Sequence, residues 1–213
     1  MKKTLKNFYF FGDSICNNQH VNIDDGFVSK ISKKLKKLKK SFTVTNCSVD
    51  GRTSRQALED MPFQIQKHNP EFLYIQLGLN DCNFWDTDKG LPRVNLHSFK
   101  YNLIEIIKRG FKHGAKKIFL STNHKTSLNK NGKYLTPASY EKNNSLYNEA
   151  IREVIEFFPN NLHLIDIENI FLKEIKNNKK ILKKYLLPDG LHLSILGHEL
   201  YYKNILKILK KEI

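Results

Sequence analysis

Cysteine is scarce. Three residues in 213, Cys16, Cys47 and Cys82, form an odd set without paired spacing. The set argues against a disulfide framework and fits a reducing compartment. No Cys-x-x-Cys or His-Glu-x-x-His spacing occurs, so no metal site and no cofactor is expected. Long apolar runs are also lacking. None approaches the roughly 18–20 residues that span a bilayer, and no membrane span is expected. Met1 to Leu5 resembles the charged start of a secretory leader, but the apolar run Phe8 to Phe11 is too short and stops at Gly12-Asp13. A cytoplasmic location is the resulting expectation.

Acidic residues are in deficit. Thirty-six Lys and Arg face 21 Asp and Glu, a formal net charge of +15. Such an excess favours anionic partners. However, the lysines from Lys33 to Lys40 fall opposite the apolar stripe Phe27, Ile31, Leu35 and Leu38, which marks a solvated helix face. Aromatic residues are not interleaved with the lysines as a base-stacking groove requires, so no specific nucleic acid is expected as a partner.

What is present is the composition of a globular protein, 40% hydrophobic and 27% charged. The length suits one α/β domain, residues 1–213, and is short for two. Strand and helix patterns alternate throughout, without a long linker or an internal repeat. Strands are expected at Leu5 to Phe11, Phe42 to Val49, Phe72 to Leu77, Lys117 to Ser121 and Leu162 to Ile167. The third is apolar throughout, as suits a strand buried on both faces. Helices are expected from about Gly26 to Lys40, after a Thr53 or Ser54 cap, along the stripe Phe99, Leu103, Ile106 and Ile107, along Leu146, Ala150, Val154 and Phe157, and at the end along Ile195, Tyr202, Leu206 and Leu209. The polar stretch Thr122 to Pro137 reads as a long surface loop. Strands separated by helices imply a parallel sheet with right-handed crossovers, a three-layer α/β/α sandwich. Ligands of such sheets sit beyond the carboxyl ends of the strands.

Polar residues gather at those ends. Ser14 follows the first strand. Asp189 precedes His192 by three residues in a Pro-Asp-Gly-Leu-His turn compact enough for the carboxylate to hold the ring. Gly51, after the second strand, and Asn80, after the third, offer a backbone N–H and a side-chain amide to a developing oxyanion, with the Ser14 N–H a third donor. A nucleophile, a base, an orienting acid and oxyanion donors are what acyl transfer from an ester needs. Asp13 and Asp81 read as structural hydrogen-bond partners, and the three cysteines as buried small residues.

The ordered blocks Phe11-Gly12-Asp13-Ser14, Gly51, Gly78-Leu79-Asn80-Asp81 and Asp189-Gly190-Leu191-His192 resemble those of the SGNH (GDS-motif) hydrolase superfamily. The resemblance spans residues 11 to 192. It implies a flavodoxin-like sandwich with a five-stranded parallel sheet. It also implies Ser14 as nucleophile, His192 as general base and acid, Asp189 as its orienting group, and Ser14, Gly51 and Asn80 as the oxyanion hole. The segment after Asn80 holds Phe84, Trp85 and Arg93, which are expected to contact substrate, Arg93 pairing either with an anionic group or with Asp86 or Asp88. His124, past the fourth strand, is a further candidate for the pocket. The polar loops favour short acyl groups, such as O-acetyl esters of a small or saccharide substrate. An acyltransferase using the same residues is the alternative. A basic carbohydrate- or nucleic-acid-binding protein is a third reading, resting on charge alone.

Overall fold

The computed structural model describes residues 5–38, 42–128, 138–176 and 178–213. The last lysines of the run ending at Lys40, and residues 129–137 of the expected loop, lie outside the described residues. Five strands form one parallel sheet: β1 (Lys6–Gly12), β2 (Phe42–Asn46), β3 (Phe72–Gln76), β4 (Lys117–Ser121) and β5 (Leu162–Ile165), in the order β2-β1-β3-β4-β5. Seven α-helices among the described residues connect or cover them: α1 (Phe27–Leu38), α2 (Ser54–Gln64), α3 (Leu96–Lys112), α4 (Tyr140–Ile155), α5 (Ile167–Ile175), α6 (Lys179–Tyr185) and α7 (Ile195–Glu212). α1 packs with α7 on one face, while α2, α3 and α4 line up on the other. This is the three-layer sandwich.

Sequence explains most of these elements. β3 is buried at every position, with Leu73 beside Tyr9 in register and Ile75 beside Phe11. Each fully buried residue of the type of Phe10 or Leu73 contributes about 1.5–3 kcal/mol over exposure. Thr53 caps α2 in a reciprocal box with Gln56: its side chain accepts from the Gln56 N–H, and the Gln56 side chain accepts from the Thr53 N–H. Asn95, Ser139, Asp166 and Ser194 cap α3, α4, α5 and α7 with side-chain oxygens. In α1 the stripe Phe27, Ile31 and Leu35 is buried, as its spacing requires.

Two helical stripes and one loop depart from expectation. On α4, Leu146 is exposed, as is Phe157 just past the helix end, while Tyr147, Ala150, Ile151 and Val154 face the core. The inward face of the first turns is polar: Glu141, Asn143, Asn144 and Asn148 are all buried. On α7, Ile195 is exposed and the buried stripe runs through His198, Tyr201, Ile205 and Leu209. Finally, Thr122, Asn123, His124 and Thr126 are buried rather than forming the start of a surface loop. The departures on α4 and in the loop share one cause. The backbone after β4 runs inside the molecule, and its polar groups need partners there. α4 supplies them: Asn144 donates to the His124 carbonyl at 3.0 Å, Asn148 to the Asn123 carbonyl at 3.0 Å, and Glu141 accepts from the Thr126 N–H at 2.6 Å. A polar inner face is invisible to a search for apolar periodicity.

The order β2-β1-β3 makes the chain reverse its direction of travel across the sheet between β1 and β3. The loops after these two strands open a crevice at that switch point. No helix among the described residues is long and apolar enough to cross a membrane.

Candidate active site

The first turn of the site begins where β1 stops. Gly12 closes the strand, and a Cβ there would meet Cys16 Sγ at 2.6 Å and the Gln76 carbonyl at 2.9 Å. Glycine thus permits the chain to fold back at once. The Asn17 N–H donates to the Asp13 carbonyl at 3.1 Å and the Gln19 N–H to that of Ser14 at 3.0 Å. Asp13 itself is wholly buried, its carboxylate accepting from the Ile15 N–H at 3.0 Å and from Gln76 at 3.4 Å. Asp81 is likewise buried and accepts from the N–H and the hydroxyl of Ser54. Cys16 and Cys82 are buried, and Cys47 is packed against the core.

Ser14 meets His192 across 178 residues of sequence. The Oγ lies 3.0 Å from Nε2 of the ring. On the other side of the ring, Nδ1 is 2.6 Å from Asp189 Oδ2, while Asp189 Oδ1 accepts from the N–H groups of Leu191 at 2.9 Å and His192 at 3.0 Å. Burial raises the Asp189 pKa, but the His192 ring and these two N–H donors outweigh it and hold the carboxyl below its ordinary range. An ionised Asp189 requires the proton on Nδ1. Nε2 then presents its lone pair to the Ser14 hydroxyl, the arrangement that draws a proton from an attacking oxygen.

Ser14, Gly51, Asn80 and His192 line one cleft of about 310 Å³, completed by Gln19, Asp50, Leu79 and Leu191. Gly51 has φ of +75°, and a Cβ added there would meet nothing within 4 Å. It is the left-handed backbone, not crowding, that calls for glycine. The N–H groups of Ser14 and Gly51 and the Asn80 side-chain amide are not spent on any described residue. All three residues line the cleft.

The family described as GDSL-like lipase/acylhydrolase matches this sequence over residues 10–200. The chain belongs to that family. It is accordingly a serine hydrolase of the SGNH type, acting on ester bonds. Among solved structures it resembles the acetylxylan esterase Axe2 of Geobacillus stearothermophilus, at 18% identity over 97% of this chain and 95% of that one, with a TM-score of 0.76. TesA is similar at 20% identity, covering 98% of this chain and all of TesA, with a TM-score of 0.72. LAE5, an alpha/beta hydrolase from the metagenome of Lake Arreo in Spain, is similar at 17% identity over 96% and 94% of the two chains, with a TM-score of 0.76. At such identities the likeness is one of fold. No curated protein matches the sequence.

In this acylhydrolase the four residues expected to bind substrate do not line the cleft. His124 is fully buried behind it. Its Nδ1 lies 2.8 Å from the Tyr201 hydroxyl and its Nε2 2.8 Å from the Leu191 carbonyl. Since a carbonyl only accepts, Nε2 carries the proton and Nδ1 accepts from Tyr201. Burial pushes its pKa down to about 4, so the ring is neutral at pH 7. Arg93 donates to the Gly51 carbonyl at 3.0 Å and lies over the Trp85 ring, 3.8 Å from its centroid. Burial lowers its pKa, while the nearby charges of Asp81 and Asp88 oppose that fall; the Asp86 side chain lies outside the described residues. Trp85 is thus half-exposed beneath a guanidinium rather than facing the cleft, and Phe84 is half-buried beside it in sequence. A loop's contacts depend on where tertiary packing carries it, which residue type alone does not encode.

Sequence reading also missed two residues at the site. Arg52 is buried, stacked 4.6 Å over Phe11, and donates to the carbonyls of Gly12 at 3.2 Å and Cys47 at 2.7 Å. It clamps together the strand ends that carry Ser14 and Gly51. Its position directly after Gly51 was the available signal. His20 lies edge-on to His192, ring centroids 5.0 Å apart. Nothing in the sequence pattern pointed to it.

Proposed function

We propose that this enzyme removes short acyl groups, such as O-acetyl, from a small or saccharide alcohol through an acyl-enzyme on Ser14. The observation that carries the reading is the unbroken chain from Asp189 through His192 to Ser14, opening on a cleft with three unspent donors. The Ser14 Oγ attacks the ester carbonyl carbon while His192 Nε2 takes its proton. The carbonyl electron pair moves onto oxygen, where the N–H groups of Ser14 and Gly51 and the Asn80 amide hold it. The tetrahedral adduct collapses, and His192 returns its proton to the departing alcohol oxygen. Water then attacks the acyl-enzyme with its proton passing to His192, and as the second adduct collapses to the carboxylic acid His192 returns that proton to the departing Ser14 Oγ.

Size favours a short acyl group. A cleft of about 310 Å³ stands at the low end of the roughly 300–1,000 Å³ usual for small-molecule pockets. The saccharide side draws support from the likeness to an acetylxylan esterase. A transferase reading has one observation in its favour: a groove of about 790 Å³, lined by His20, Lys184, Leu187 and Ile195 among others, adjoins the His192 ring and has room for an acceptor alcohol. Product analysis with added alcohols separates the two outcomes.

The decisive experiment pairs p-nitrophenyl acetate turnover with a fluorophosphonate probe. Ser14 is expected to carry the label, and Ser14→Ala to lower kcat by roughly 10³-fold or more. Undiminished turnover in the variant would end the assignment.

A further inference from the structure

His20 stands outside the chemistry just described, yet it abuts it. Its backbone is left-handed, φ +70°, a conformation that residues other than glycine seldom adopt. Its ring lies edge-on against that of His192. One ring nitrogen from each histidine and one carboxylate oxygen of Asp189 all lie within 4.8 Å of one another. Two imidazoles and a carboxylate are a donor set that zinc and related late first-row cations take readily. Residues 20, 189 and 192 are too far apart in sequence for any spacing motif to reveal the set.

We infer that His20, Asp189 and His192 form a binding site for Zn²⁺ or a similar divalent cation, and that its occupation turns the enzyme off. The consequence for activity rests on His192 acting as the base in the function proposed above. Four-coordinate zinc with bonds of about 2.0–2.1 Å sets its donor atoms roughly 3.3 Å apart. His20 is exposed, so its ring is free to turn and close the remaining distance, while solvent fills the fourth position.

The ion must take a lone pair from one His192 nitrogen, and either choice disables the ring. Bound at Nδ1, it displaces that proton to solvent and turns the Asp189 carboxylate from the ring to the metal. Bound at Nε2, it occupies the lone pair that accepts the Ser14 proton. No electron is transferred in either case, and removal of the ion restores the starting state.

The test is titration of the full chain with ZnCl2 during p-nitrophenyl acetate hydrolysis in a non-chelating buffer, each protein's rate taken relative to its own metal-free rate. Inhibition reversed by EDTA is expected. His20→Asn keeps a side chain that tolerates left-handed backbone, and should raise the half-inhibiting Zn²⁺ concentration on the order of tenfold or more; His20→Ala should do the same. A readout without turnover is Co²⁺ uptake by the Ser14→Ala protein, which should show the strong visible absorption of a four-coordinate site, lost when His20→Asn is added. Inhibition unmoved by both His20 substitutions would overturn the site, as would Co²⁺ titration without that absorption. Failure of the wild-type chain to hydrolyse any ester would instead strike at the proposed function, and the cobalt arm would still decide the metal site.

Discussion

At the scale of single residues, the site separates what residue type reveals from what it conceals. Ser14, Gly51, Asn80, Asp189 and His192 were legible because each stands at a strand end or in a short turn, where local sequence fixes placement. Their meeting at one rim follows from the parallel sheet. His20, Arg52 and the true surroundings of Arg93 and His124 were not legible, because each depends on a contact between distant segments. Asp13 was read as a structural partner, and its burial gives that role a measurable signature. Burial pushes its pKa up to about 7, Asp81's negative charge adding to the rise while the Ile15 N–H, Gln76 and Arg52 oppose it. The folded state therefore holds this proton more tightly than the unfolded chain, whose value is near 3.8. Stability contributed at low pH is lost as pH rises from about 4 towards 7, by at most about 1.4 kcal/mol per pH unit for one such group. Asp81, raised to about 6, adds a loss of the same sign. In Asp13→Asn this share disappears, so the variant's stability relative to wild type should improve between pH 5 and pH 8. Urea midpoints at the two pH values check it; an equal difference at both would show that Asp13 does not titrate there.

At the scale of elements, strand positions were legible to within a few residues, because β-branched and aromatic runs between turns have few alternatives. The inner faces of α4 and α7 were legible only in part: Ala150, Val154, Leu206 and Leu209 are buried as their spacing implies, but an apolar stripe does not mark the buried polar residues beside them. Here the buried face is partly built of Asn, Glu, His and Tyr, and its purpose is to hold the loops behind the site. The turn carrying Asp189 and His192 shows this plainly. The Leu187 N–H donates to the His192 carbonyl at 2.8 Å, the Ser127 N–H to the Gly190 carbonyl at 2.9 Å, and His124 to the Leu191 carbonyl. Tyr201 of α7 completes the relay by donating to His124. Tyr201→Phe strips the buried Nδ1 of its donor and should cost about 1–3 kcal/mol of stability, read from urea unfolding. His124→Gln should loosen the turn and lower kcat by roughly tenfold with little change in KM, since a misplaced base weakens the transition state more than the ground state. A variant that binds substrate poorly but turns it over at the full rate would contradict this positioning role.

At the scale of the whole molecule, the sandwich was legible from the alternation of periods alone, and the meaning of the charge was not. Pairs such as Lys30–Glu199 at 3.0 Å, Lys33–Asp24 at 2.7 Å and Lys117–Glu212 at 3.1 Å engage a few lysines. Pairing cannot cancel the total, because cationic residues exceed acidic ones by fifteen. Near the cleft the charges are mixed: Asp50 lines it, Asp189 borders it and Arg93 holds the Gly51 carbonyl beside it, while Lys184 lies in the adjoining groove. Distance decides which field a substrate meets. From about 0.01 M to 0.1 M salt the screening length shrinks from roughly 30 Å to 10 Å, so the net positive charge steers an approaching anion only at the lower value. The enzyme should then hydrolyse an anionic aryl acetate with a kcat/KM that falls roughly several-fold over that range, while neutral p-nitrophenyl acetate stays nearly constant. Parallel rate measurements on the two esters check this. Equal salt responses would mean that the lysine excess is a solvated coat without reach into the cleft, and that the mixed charges at its rim set the local field.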